Sequence, residues 1–264
     1  MGETLLYSEI ENGICRIVLN HPARRNALSE AMINELSEAL ALSQNDAAVR
    51  VIILSAKGPV FCAGHDLKEM TEGRKAADRG QAYFAKLMAS CSALMQQIVS
   101  HSKPIIAEVT GVATAAGCQL VASCDLAVVG QSARFATPGV QIGLFCSTPM
   151  VALSRNISRK HAMEMLLTGD MISAVRAQEM GLVNQVVSDD QVASATWELA
   201  EKIAAKSSMT LAIGKQAFYK QAEMPLEQAY AFASQTMVEN MLKQDAEEGI
   251  NAFIEKRDPN WTDQ

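Results

Sequence analysis

Two stretches of small residues hold the chemistry available to this chain. One is Phe61-Cys-Ala-Gly-His-Asp-Leu-Lys-Glu69; the other, about fifty residues later, is Gly111-Val-Ala-Thr-Ala-Ala-Gly-Cys118. Each follows directly on an apolar run. Ahead of the second, Ile105 to Val109 reads as a short buried strand fenced by Pro104 and Gly111. Glycine permits a tight turn there, and small side chains let the backbone approach a ligand closely. From Gly117 the pattern turns helical, through Leu120 and Val121. A strand, a small-residue turn and a helix start leave unpaired N–H groups pointing out of the turn. Such donors suit a carbonyl oxygen that becomes an oxyanion. The same residues also suit a turn that is small only because it packs tightly, and the stretch alone supports both readings.

Other reactive residue types are scattered. The six cysteines, at 15, 62, 91, 118, 124 and 146, include no CxxC pair, and no histidine stands at metal spacing, so no metal site is expected. Flanked by apolar residues, these thiols read as small buried side chains. A reducing, cytoplasmic setting is the simplest expectation from them. A net charge of −6 gives no support for nucleic-acid binding. No apolar run approaches roughly 20 residues, which argues against a membrane span. The opening Met-Gly-Glu-Thr-Leu-Leu lacks the basic-then-apolar pattern of a signal peptide.

The elements that must position the two turns are legible around them. With 264 residues, 49% apolar and 20% charged, the chain fits one large domain or one domain with an appendage. Leu5 to Glu11 and Ile14 to Leu19 flank Asn12-Gly13, a strong hairpin signal. Ser29 opens an amphipathic helix, and Val49 to Leu54 is an apolar strand. Thr71 to Asp78 reads as a charged, mobile connection, and Arg79 to Ser100 as a long helix. Strands and helices alternate to about Val187, which favours an α/β layer with largely parallel strands. Beyond it only helices follow: Asp189 to Lys206, Met209 to Ala222, Leu226 to Leu242 and Asp245 to Glu255. This tail is expected to be a satellite that packs on the core or on a neighbouring subunit rather than a further layer of the sheet.

With these residues in place, the chain resembles the crotonase, or enoyl-CoA hydratase/isomerase, family over nearly its whole length, from Ile14 to Trp261. The resemblance rests on Asn26-Ala-Leu28, Phe61 to Glu69, Lys103-Pro104 with Gly111 and Ala115-Ala-Gly-Cys118, Cys124-Asp125, and Leu167-Thr-Gly-Asp170 with Ala177 to Val183. It implies an α/β fold, the crotonase (ClpP-like) spiral of repeated ββα units. Residues 1–195 would form the spiral core, and 196–264 a helical region for packing and trimer contacts. It further implies a homotrimer or hexamer that binds acyl-CoA thioesters, coenzyme A entering as part of the substrate and no cofactor being held permanently. In the family, one backbone N–H from each turn donates to the thioester oxygen; here those donors fall on His65 and Ala116. Preorganised donors of this kind are worth about 3–4 kcal/mol each by the effect of removing one. The backbone of Ala63, Gly64, His65, Asp66 and Leu67 would hold the adenine end. Arg24 and Lys256 stand where family members place cations for the phosphates, although each also reads as an ordinary surface charge.

The family's hydratases also use two glutamates as paired acid and base. At those positions this chain has Gln119 and Gly139. An amide has no useful basicity near neutral pH, and glycine has no side chain, so ordinary hydratase activity is not expected. Gln119 is still able to orient a water or a carbonyl, since an amide both donates and accepts. Gln141, Cys146 and Ser147 follow closely, and Phe84, Leu87, Leu144 and Phe145 are apolar residues fit to line an acyl pocket. Three functions are compatible with these residues: a family enzyme acting through a thioester enolate, a non-catalytic acyl-CoA-binding or assembly protein, and a family enzyme of different chemistry such as thioester hydrolysis or double-bond isomerisation.

Overall fold

The computed structural model describes residues 5–264; Met1 to Thr4, at the head of the stretch read above as lacking a leader pattern, lie outside it. The hairpin forms as expected. Strand β1 (Leu6–Glu11) pairs antiparallel with β2 (Ile14–Leu19), and Asn12 and Gly13 both take positive φ. That turn joins twisted strands most easily. Helix α1 (Glu30–Asn45) starts at Ser29, whose hydroxyl accepts the Met32 N–H, and it buries Met32, Ile33, Leu36 and Leu40.

A repeating unit then builds the molecule. Strands β3 (Val51–Ala56) and β4 (Val60–Cys62) lead to α2 (Leu67–Gly73) and α3 (Gln81–Ser100). Strands β5 (Ile105–Val109) and β6 (Val112–Thr114) lead to α4 (Ala116–Ser123). Strands β7 (Leu126–Gly130) and β8 (Arg134–Ala136) lead to a 3-10 turn, Pro138–Ile142, followed by α5 (Pro149–Asn156) and α6 (Arg159–Thr168). In each repeat the first strand joins one sheet and the second joins another. The six-stranded sheet runs β1-β2-β3-β5-β7-β10, and the four-stranded one β4-β6-β8-β9. Short β9 (Ile172–Ser173), α7 (Ala174–Met180) and β10 (Gln185–Val187) complete them. From β2 to β10 the larger sheet is parallel. Its middle strands read as unbroken apolar runs because both faces are covered.

One expectation needs correction. The connection expected to be mobile from Thr71 is helical as far as Gly73, because Asp66 caps α2 by accepting the Lys68 and Glu69 N–H groups. The helical tail comprises α8 (Val192–Ala204), α9 (Ser208–Gln221), α10 (Leu226–Met241) and α11 (Gln244–Glu255). Helix α8, which spans the expected boundary at 195, lies on the second face of the larger sheet. There Ala200 packs with Ile14, Val51, Ile53, Ile106 and Val128. Beside it, Arg16 reaches Glu108 at 2.6 Å and lies 5.9 Å from the Trp197 ring centroid.

Helix α9 is tied to the core by one buried polar cluster. Lys215 Nζ donates to Asp125 Oδ2 at 2.6 Å and to the carbonyls of Ile98 and Lys103. Asp125 also accepts the Ile105 N–H and the Tyr219 hydroxyl. The side chains of Lys215 and Asp125 are only 7% and 15% exposed. The Cys124-Asp125 motif therefore joins the tail to the start of β5. Removing the ammonium leaves a buried carboxylate and two carbonyls without it, so Lys215→Ala is expected to lower stability by about 3–5 kcal/mol in a denaturant titration. A loss below about 1 kcal/mol would contradict the clamp.

Candidate functional site

The spiral sets the two small-residue turns side by side. Strands β4 and β6 are parallel neighbours, and after a register shift at Phe61 the residue Cys62 pairs with Ala113. His65 lies three residues beyond the first and Ala116 three beyond the second, so they are equivalent positions in consecutive repeats. Neither backbone N–H is bonded to a protein acceptor among the described residues. Ala116 is the first residue of α4, where the helix leaves its N–H groups free and the dipole favours negative charge.

Glycine is what lets the turns touch. Gly64 has φ +91°, and a Cβ there would stand 2.9 Å from Ala115 Cβ, 3.1 Å from Thr114 O and 3.3 Å from Ala116 N. At Gly117 a Cβ would meet the Cys62 carbonyl oxygen at 2.1 Å. Ala115, between them, holds φ 51° and ψ −119°, a conformation that costs a non-glycine residue about 1–3 kcal/mol. Its N–H bonds Ala136 O in the third repeat and its carbonyl accepts Gln119 N–H, which leaves the Ala116 N–H to point out of the turn.

The Asn26-Ala-Leu28 motif buttresses the first turn from outside. The fully buried Asn26 amide donates to Lys57 O and Val60 O and accepts from His21 N–H. Leu28 N–H bonds Gly64 O at 2.8 Å, and Ala63 N–H bonds Arg25 O. His65 Nδ1 lies 3.3 Å from Leu28 O. A carbonyl only accepts, so Nδ1 carries the proton and Nε2 presents a bare lone pair. Nε2 is buried without a protein partner among the described residues. Burial pushes the His65 pKa below its ordinary value, partly offset by the Leu28 carbonyl.

Gln119 follows Ala116 by one turn of α4 and is 4% exposed, with Oε1 lacking a protein partner. Thr137, which sequence reasoning passed over, is fully buried beside the same turn, and its Oγ1 is likewise unpartnered. Its place directly after Ala136 was the available signal. Gly139 is also buried, in the 3-10 turn, but a side chain there is sterically excluded. A Cβ would lie 2.8 Å from both Cys146 Sγ and Leu144 O. From below, Gly169 of the Leu167-Thr-Gly-Asp170 motif supports this turn: it caps α6, its own added Cβ would reach Pro138 Cα at 3.0 Å, and its carbonyl accepts the Gln141 amide.

The outer candidates separate. Arg24 Nη1 stands 3.4 Å from Asp66 Oδ2, next to the first turn. Ala63 and Asp66 are part-buried and Leu67 is exposed there. Lys256 caps the C-terminus of α11, and among the described residues no hydrogen bond joins it to either turn. Cys146 is buried, and its thiol pKa is raised by burial against the Gly139 N–H. Burial holds Cys62 and Cys118 at about 12 and Cys91 at about 11, so none of these is a nucleophile near neutral pH. Of the expected acyl-pocket residues, Leu87 belongs to the closed core, whereas Leu144 and Phe145 are exposed on the loop after Gly143.

Comparison with known proteins bears on this arrangement. The family model "Enoyl-CoA hydratase/isomerase" matches residues 9–264. A mouse protein named enoyl-CoA hydratase domain-containing protein 3, mitochondrial, is 50% identical over 96% of this chain and 82% of its own length. The crystal structure of its human counterpart superposes with a TM-score of 0.93 at 46% identity, covering 98% of this chain and all of the other. A Mycobacterium smegmatis enoyl-CoA hydratase gives 0.94 at 48% identity, covering 98% and 99%. The fold is the α/β crotonase fold with two sheets and C-terminal helices. The expectation of a cytoplasmic protein is overturned: five relatives at 44–50% identity are named as mitochondrial proteins. Unpaired cysteines report a reducing milieu, which does not single out one compartment.

The His65 geometry gives a pH prediction. Because its folded pKa lies below the unfolded value near 6.5, the unfolded chain takes up a proton that the native state refuses as pH falls through 6.5. Stability is therefore expected to decline on acidification through that point, with buried His101, shifted the same way, adding to it. Imidazole NMR at pH 6.5 should find His65 mostly neutral, with its proton on Nδ1; a mostly protonated ring would contradict this.

Proposed function

The chain belongs to the enoyl-CoA hydratase/isomerase, or crotonase, family, and from that premise we propose that it binds acyl-CoA thioesters and polarises their carbonyl between the His65 and Ala116 N–H groups. The observation that carries this reading is the equivalence of the two residues across the Cys62–Ala113 pair, with both amides unbonded among the described residues. Negative charge that builds on the thioester oxygen, when the neighbouring carbon is deprotonated or the conjugated double bond is attacked, would meet two fixed donors. The turn backbone from Ala63 to Leu67 is the proposed adenine contact, with Arg24 beside it for phosphate. Lys256 is a second proposed cation, at the exposed end of α11. Coenzyme A arrives as part of the substrate.

We read Gln119 and Gly139 as standing where two-glutamate hydratases carry their acid and base. Gln119 then orients a water or carbonyl without taking a proton, and Gly139 contributes only backbone. Ordinary hydration of an enoyl-CoA would be slow, which keeps acyl-CoA binding without turnover as the alternative. The close packing of Leu144 and Cys146 on Gly139 supports this, since no carboxylate side chain fits there without moving that loop. Self-association as a trimer or hexamer is also proposed. It is supported by apolar side chains standing free on α10 and α11, among them Tyr230, Phe253 (85% exposed) and Ile254.

The test is a titration with crotonyl-CoA alongside a hydration assay. Binding is expected with a turnover at least about a hundredfold below that of a two-glutamate family enzyme, the contribution of one acid–base group. Gly64→Ala, which drives a Cβ towards Ala116 N, should weaken thioester binding. Ordinary turnover would refute the reading of Gln119 and Gly139, and failure of crotonyl-CoA to bind would refute the cradle.

A further inference from the structure

Strand β1 is the outer strand of the six-stranded sheet, with β2 on one side only. Its hydrogen-bond phase follows from one contact. Asn20 N–H bonds Leu5 O at 2.8 Å beside the Leu6–Leu19 pair. In an antiparallel ladder that makes Tyr7, Glu9 and Glu11 the residues bonded to β2. Leu6, Ser8 and Ile10 therefore turn their N–H and C=O outward. Among the described residues, none of these outward groups is bonded elsewhere in the chain.

The pleat sends the side chains of Leu6, Ser8 and Ile10 to the face covered by α1. Between β1 and α1 lies a groove of about 610 Å³, away from the turns described above. Leu6, Cys15 and Ala39 line it, with Ile10 and Leu42 standing 49% and 67% exposed at its mouth. The charged residues lining it are Glu35, Glu38 and Asp46, and no lysine or arginine does so. Two lysines in contact with groove residues are occupied: Lys103 donates to the Ser43 and Asp46 carbonyls, and Lys57 lies over the Tyr7 ring. On the other face of β1, Glu9 and Glu11 are exposed and have no ion-pair partner among the described residues.

From this open edge, apolar groove and double row of carboxylates we infer that β1 is a docking strand for an extended segment of a partner protein, in which apolar residues alternate with lysine or arginine. The segment adds a seventh strand through the outward groups of Leu6, Ser8 and Ile10, in the manner of strand addition. Its apolar residues enter the groove against Ile10 and Leu42. Its basic residues face Glu9 and Glu11, and one at its end reaches Glu35 or Glu38. Opposite charges across a strand pair stabilise it, and like charges oppose it. A second copy of this chain is a poor occupant, because edge-to-edge pairing would set the Glu9 and Glu11 row against itself. The strand carries neither proline nor lysine, the usual guards of a free edge.

The probe is a fluorescein-labelled peptide Val-Lys-Val-Arg-Val-Lys-Val, with a twin in which glutamate replaces each base, titrated into the full chain by fluorescence anisotropy. The basic peptide is expected to bind at least tenfold more tightly than its twin. It should also slow hydrogen–deuterium exchange in a fragment spanning residues 5–11. Ser8→Pro removes an outward N–H without taking a bond from β2, and Leu42→Asp spoils the groove at an exposed site should the proline disturb folding. Each should weaken binding at least tenfold. Equal affinity for both peptides, no binding at millimolar peptide, or unchanged affinity in both variants overturns the inference. A concentration-dependent doubling of mass that Ser8→Pro abolishes would instead assign the edge to a second copy.

Discussion

The structure depends on the contact between two turns that only glycine permits. Cys62 and Ala113 are paired across neighbouring parallel strands, so whatever follows one by three residues lies beside whatever follows the other. Strand spacing alone brings the chains within about 5 Å. Gly64 and Gly117 then remove the side chains that would hold them apart, since an added Cβ would meet the opposite turn at 3.3 Å or less in every close contact. The strained Ala115 is tolerated because its amide and carbonyl are both held, by Ala136 and Gln119. The contact is thus a property of the spiral: repetition supplies two equivalent amides, and glycine lets the turns that carry them touch.

The same repetition explains where the third turn differs. Phe135 pairs with Ala113, so the equivalent of His65 and Ala116 is Pro138, which has no N–H to offer. The third repeat instead contributes the wall formed by Thr137, Gly139 and the loop that folds onto Gly139. That loop takes the space a side chain at 139 would need. Changing residue 139 alone would overpack this wall, a disturbance of about 1–3 kcal/mol. Space at this wall is therefore set by the Leu144–Cys146 loop as much as by the identity of residue 139.

Much of this was legible in the chain. Asn12-Gly13, Ser29 and the apolar run from Ile105 to Val109 announced their elements through local chemistry, and the two small-residue turns were evident from composition. Their convergence came only through the family resemblance, because register between strands fifty residues apart leaves no local trace. The roles of Asn26 and Asp125 were hidden for a related reason. Each satisfies backbone groups distant in sequence, Lys57 and Val60 for one, Ile105 and Lys215 for the other. Which surface α8 covers was not legible, because an amphipathic pattern does not say what it packs against. Compartment was misjudged from thiols that respond to redox state, not to address.

The most direct test of the central claim is a crystal structure with an acyl-CoA bound. The account predicts the thioester oxygen within about 2.7–3.1 Å of both the His65 and Ala116 nitrogens. A thioester bound with its oxygen turned away from either amide, or a coenzyme A ester seated elsewhere on the spiral, would contradict it.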